Sequence, residues 1–129
     1  MMRNPLTVVL TALLLCGGCE TTKPSPPIGS LRHVVLFKFK DNTTKEQVRK
    51  IEDKFRGLPG RIPSIVDFEW GTDVSVENKT EGYTHCFVVT FADAAGRAEY
   101  LPHAAHQEFV ALLLPSLDKV LVVDYVSAR

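Results

Sequence analysis

Five side chains in this 129-residue sequence are suited to chemistry: His33, His85, Tyr100, His103 and His106. An imidazole titrates near pH 6.5 and a phenol near 10, so together they offer a proton acceptor and a hydrogen-bond donor at neutral pH. His103 and His106 sit about one helical turn apart and so can share a helix face, with Tyr100 shortly before them. His33 and His85 lie in runs of β-branched and aromatic residues, each in step with Phe or Val neighbours on the inward side. If the two runs pair as adjacent strands, four imidazoles and Tyr100 are expected to converge on one pocket. Three uses remain open. The histidines are core residues satisfied by backbone or by each other, with His103 and His106 capping their helix; or they do acid/base work; or they hold a metal. The metal fits least, because His-Ala-Ala-His lacks the glutamate of H-E-x-x-H and carboxylates are sparse at inward positions.

The elements that must position these residues follow from hydrophobic periodicity. Leu31 to Lys40 predicts a strand with His33, Val35, Phe37 and Phe39 on one face and Val34 and Leu36 on the other. Thr43 or Thr44 can cap a helix whose apolar positions are Val48, Ile51, Phe55 and Leu58, stopped by Pro59-Gly60. Ile65 to Asp73 predicts a second strand, with Val66, Phe68 and Trp70 together and Phe68 and Trp70 placed at a dimer core or rim. Tyr83 to Phe91 predicts a third, with His85 and Phe87 on one face and Cys86 and Val88 on the other. Asp93 opens a short helix to Tyr100, Pro102 interrupts it, and His103 to Leu114 continues with Phe109, Leu112 and Leu113. Lys119 to Val126 closes as a fourth strand.

This βαββαβ order predicts an α+β, ferredoxin-like subunit: an antiparallel sheet with both helices on one face. Three of the strands are apolar on both faces, whereas a sheet covered on one side alternates apolar and polar. A second copy packed sheet to sheet would cover the bare face, so a homodimer is expected. Fifteen basic and fifteen acidic residues balance to zero, which leaves no surplus for a phosphate backbone and argues against nucleic acid. The basic residues of the first helix, including Lys45, Arg49, Lys50 and Lys54, alternate with Glu46, Glu52 and Asp53 and read as a solvated face. Cys86 reads as a small buried hydrophobe facing the dimer interior.

Ahead of the domain, Arg3, the apolar run to Leu15 and Cys16-Gly17-Gly18-Cys19 have the layout of a secretory signal too short to span a bilayer. The segment 1–19 resembles a bacterial lipoprotein signal, which implies cleavage before Cys19, lipidation of Cys19, and anchoring in the cell envelope outside the cytoplasm. Glu20 in that resemblance implies the outer membrane where a cell has two. Residues 20–30, with three prolines, read as an extended tether of on the order of 30 Å.

Several motifs of the domain, 31–129, occur together in order: H-V-V-L-F-K-F-K-D from His33, W-G-T-D-V from Trp70, E-G-Y-T-H to His85, Y-L-P-H-A-A-H from Tyr100 through His106 to Phe109, and L-D-K-V-L-V-V-D-Y to Tyr125. They resemble the Dabb family, the stress-responsive dimeric α+β barrel domain. The resemblance implies a ferredoxin-like subunit pairing into a homodimeric barrel. It further implies a pocket of His33, Val35, Phe37, His85, Phe87, His103 and Phe109 for a small apolar or aromatic molecule, without cofactor or metal. A family member of the olivetolic acid cyclase type closes a polyketide by aldol condensation, and its catalytic pair falls on Tyr100 and His106. This chain departs from the usual H-P-x-H pattern, with Ala104 after His103 and a proline earlier, at Pro102. Three functions therefore remain open: ligand binding, a cofactor-free cyclase or lyase, and a structural stress-protective module.

Overall fold

The computed structural model describes residues 23–128. The leader expected at 1–19, with Cys16 and Cys19, lies outside the described residues. The elements run β1 Leu31–Phe39, α1 Lys45–Arg56, β2 Ile65–Thr72, β3 His85–Phe91, α2 Ala94–Tyr100, α3 Ala104–Leu113 and β4 Leu117–Val126, with single 3-10 turns at Leu58–Gly60 and Leu114–Ser116. The sheet is antiparallel in the order β2-β3-β1-β4, which is the expected ferredoxin-like α+β fold. Three strands are shorter than expected. β1 stops at Phe39, β2 stops at Thr72, and β3 begins at His85: Tyr83 donates to the Thr80 carbonyl in the turn, and Thr84 bridges to Phe37 and Asp73 just ahead of the strand. β4 starts two residues earlier than expected, directly after the 3-10 turn at Pro115.

Local chemistry explains the helix starts. Thr44 accepts from the Gln47 amide while the Gln47 side chain accepts from the Thr44 amide, a reciprocal capping box at the start of α1. Asp93 caps α2 through the Gly96 amide, and His103 caps α3 by accepting from the Ala105 amide. Pro102 lies between α2 and α3, where its missing N–H breaks no helical ladder.

The helices cover one face of the sheet. Against it, Ile51 and Phe55 of α1 and Ala105, Phe109 and Leu113 of α3 bury Val35, Phe37, Phe87 and Val89. Four rings form a slab at its centre: Phe55 lies 4.3 Å from Phe109 and 4.4 Å from Phe87 between ring centroids, and Phe37 is 5.1 Å from Phe87. Phe68 and Trp70 join this helix-side core, Trp70 stacking on Phe87 at 5.4 Å, so they do not face the opposite side as expected. Both sheet faces are apolar, so strand alternation alone does not say which face a residue takes. Register decides it, since Phe68 and Trp70 stand opposite Val89 and Phe87.

On the other face Val88, Val34 and Val123 form one row and Cys86, Leu36 and Leu121 a second. No helix of the described residues covers them, and Leu121, Val123 and Tyr125 remain 44–49% exposed. Burial, with the nearby Glu69 charge, raises the Cys86 thiol above its usual range, so it stays protonated at neutral pH. The end of the expected tether is docked rather than free. Gly29 and Ser30 exchange backbone hydrogen bonds with Ser127 beyond β4, and Lys23 pairs with Asp67 on β2.

Candidate functional site

The inner row of β1 runs Leu31, His33, Val35, Phe37, and its register fixes where each histidine goes. His33 stands opposite Val89, and Phe37 stands opposite His85. Four positions at about 3.4 Å per residue separate the two imidazoles by roughly 14 Å along the sheet. The four histidines therefore do not converge. The phenylalanine slab lies between two polar ends.

At one end His33, Tyr100 and His106 gather. The ring of His33 meets Tyr100 edge-on at 5.8 Å, and Tyr100 lies 4.2 Å from the His106 ring, centroid to centroid. The break between α2 and α3 aims His106. Leu101, which ends α2, presents its carbonyl to the Nδ1–H of His106 at 2.9 Å and to the Gln107 side-chain amide at 2.8 Å. With Nδ1 carrying the proton, Nε2 holds the lone pair. Burial pushes the His106 pKa below the ordinary histidine range, the Leu101 hydrogen bond opposes this, and the nearby His33 adds to the lowering. His106 is thus neutral and basic at Nε2 at pH 7. Burial moves Tyr100 the other way, well above the usual phenol range, so its hydroxyl keeps its proton and acts as a donor.

His33 is held by a carboxylate. Its Nδ1–H donates to Asp124 Oδ1 at 2.6 Å, while Arg97 donates to Asp124 Oδ2, also at 2.6 Å. Burial alone would raise Asp124, but the hydrogen bonds and charges of His33 and Arg97 outweigh it and hold the carboxyl below its ordinary value. Asp124 and Arg97 are functional candidates that motif reasoning missed. The signal was present: Asp124 is a lone acid inside Val-Leu-Val-Val-Asp-Tyr and shares inward parity with Val120 and Val122.

His33, Tyr100 and His106 line an apolar cavity of about 220 Å³, walled by Val35, Phe37, Phe55, Phe109 and Leu113 and bordered by Val120 and Val122 of β4. Of the residues expected around a pocket, His33, Val35, Phe37, Tyr100, His106 and Phe109 line it, and His85, Phe87 and His103 do not. Phe87 lies in the slab, and His103 spends Nδ1 on its helix cap. His85 sits at the far end with both nitrogens engaged: Nε2–H donates to Glu52 at 2.9 Å and Nδ1 meets the Thr84 hydroxyl at 2.8 Å. That leaves His85 as a clamp between α1 and β3. A larger cavity of about 510 Å³ under the 73–84 loop reaches His85 but neither Tyr100 nor His106. Among the described residues no three His, Cys, Asp or Glu side chains gather closely enough to hold a metal ion.

A ferredoxin-like α+β domain with a small apolar cavity, a free imidazole nitrogen and a protonated phenol defines the class. Residues 31–127 match the stress responsive A/B barrel domain, Dabb, and the chain belongs to that family. It is 44% identical over 97 residues to the stress-response A/B barrel domain-containing protein HS1 of Arabidopsis thaliana, covering 75% of this chain and 89% of that one. It is 35% identical over 96 residues to olivetolic acid cyclase of Cannabis sativa, covering 74% and 95%. Among solved structures it resembles the hydroxynitrile lyase of Passiflora edulis (TM-score 0.74, 26% identity, 80% and 97% covered). It also resembles a dimeric ferredoxin-like protein of unknown function from Thermobifida fusca (TM-score 0.67, 25% identity, 75% and 90% covered).

Proposed function

We propose that this chain is a homodimeric Dabb protein that takes a compact apolar carbonyl compound into the Tyr100–His106 cavity and moves a proton there without a cofactor. The observation that carries the reading is the hydrogen bond from His106 Nδ1 to the Leu101 carbonyl, which leaves a neutral Nε2 beside a protonated Tyr100. In this reading Nε2 takes a proton from the carbon next to a carbonyl, the electron pair left there attacks a second carbonyl carbon to form the carbon–carbon bond, and the alkoxide so made takes the proton back. In the reverse sense Nε2 takes a hydroxyl proton, the oxygen pair closes a carbonyl as the adjacent carbon–carbon bond breaks, and the departing carbon fragment takes the proton. The Tyr100 hydroxyl donates to the oxygen on which negative charge grows. An aldol cyclisation follows the first course and the cleavage of a cyanohydrin the second, so a cyclase and a hydroxynitrile lyase among the similar proteins both support proton transfer by a single base. At about 220 Å³ the cavity is below the ~300–1,000 Å³ of drug-sized sites. A small substrate follows. The lipoprotein-type leader adds a proposed place of action at the cell envelope, with Cys19 as the attachment point.

Deuterium exchange next to the carbonyl of a small apolar ketone, followed by proton NMR on the full chain, tests the reading. Exchange above the buffer rate is expected, with a loss of roughly 10²-fold or more in His106→Ala. A smaller loss is expected in Tyr100→Phe, and both variants should melt close to the parent. Exchange at the buffer rate, in a protein that still binds the ketone, would reduce the function to binding.

A further inference from the structure

The positive charges of α1 are not used evenly. Lys50 pairs with Glu46 at 3.2 Å, Lys54 with Glu108 at 3.1 Å and Arg56 with Asp53 at 3.1 Å. Lys45 and Arg49 lie one turn apart on one side of the helix and meet no carboxylate within ion-pair distance among the described residues. Both border a cavity of about 350 Å³ between α1 and the adjoining ends of β2 and β3. One acid lines that cavity, Glu52, and it is engaged by His85 Nε2 at 2.9 Å. The Thr43 hydroxyl on the rim is also engaged, donating to the Ser116 carbonyl at 3.2 Å, whereas Thr72 adds a hydroxyl to the wall.

We propose that this cavity binds a small oxyanion, a phosphate or carboxylate group, through the Lys45 ammonium and the Arg49 guanidinium with Thr72 as a neutral donor. Two cations against one engaged carboxylate give the wall a net positive field, and a concave low-dielectric wall concentrates anions in it. Arginine adds a planar fork that matches two oxygens of either group. The phenylalanine slab separates this cavity from Tyr100 and His106, so the site stands or falls independently of the proton-transfer reading.

Amide chemical shifts of the isotope-labelled full chain, titrated with inorganic phosphate and separately with propionate at constant ionic strength, test the proposal. Saturable shifts are expected at Lys45, Arg49, Thr72 and His85 for at least one anion, and the anion that saturates identifies the ligand group. Arg49→Gln should weaken that binding about tenfold or more. Lys50→Gln, which removes a cation already paired with Glu46, should leave it unchanged. Absence of saturable shifts with both anions, or equal weakening in the two variants, would overturn the site. Both substitutions fall on exposed side chains, and the unperturbed remainder of the spectrum verifies the fold.

Discussion

Asp124 ties two side chains together at the reactive end, because His33 and Arg97 share its two oxygens. Asp124→Asn removes a charge from two hydrogen bonds that are worth about 1.5–3 kcal/mol each when an ion takes part. Partial exposure of the carboxylate screens this, and a loss of about 1–2 kcal/mol is expected in urea unfolding at pH 7. The sign with pH follows from the lowered carboxyl. Its contribution is complete above the ordinary aspartate value of 3.8 and disappears as pH falls through the lower folded value, so parent and variant should converge in acid. His106, also lowered, should keep its base form down to and below pH 6.5, and exchange activity should fall only on the acid side of that value. Tyr100 and His106 were legible as a pair through the resemblance of Tyr-Leu-Pro-His-Ala-Ala-His to the family motif. The separation of His33 from His85 was not. Alternation groups residues on a shared face, but the offset between paired strands depends on turns and packing across the whole sheet.

At the scale of elements, α1 shows how completely a short signal can specify a boundary. Thr-x-x-Gln at 44–47 forms both bonds of the capping box. Thr44→Ala should therefore cost about 1 kcal/mol, read as a lower urea midpoint with unchanged slope. All four strands and the three helices could be placed from periodicity, Pro102 and the capping residues. What escaped was the side on which Phe68 and Trp70 lie. Apolar residues on both faces of β1 and β3 leave that choice to three-dimensional register, and a β2 irregularity between Ile65 and Asp67 re-phases the strand at its start.

At the scale of the whole molecule, the outer rows of Val34, Leu36, Val88, Leu121 and Val123 are the surface on which the proposed dimer depends. A charge in the middle of such a face is costly to bury, so Val123→Glu should convert a dimer to a folded monomer in light scattering. A parent protein that is monomeric at high concentration would remove the dimer from the proposal. The slab of Phe37, Phe55, Phe87 and Phe109 acts on a different quantity. Its rings bear no exchangeable hydrogen, so no relay of hydrogen bonds crosses from Asp124 to Glu52, and the two ends communicate only through space. Unit charges roughly 14 Å apart at an effective dielectric of about 20 interact by about 1 kcal/mol. A change of protonation at one end therefore reaches the other only as a through-space shift of somewhat less than about one pKa unit, with no proton passing between them.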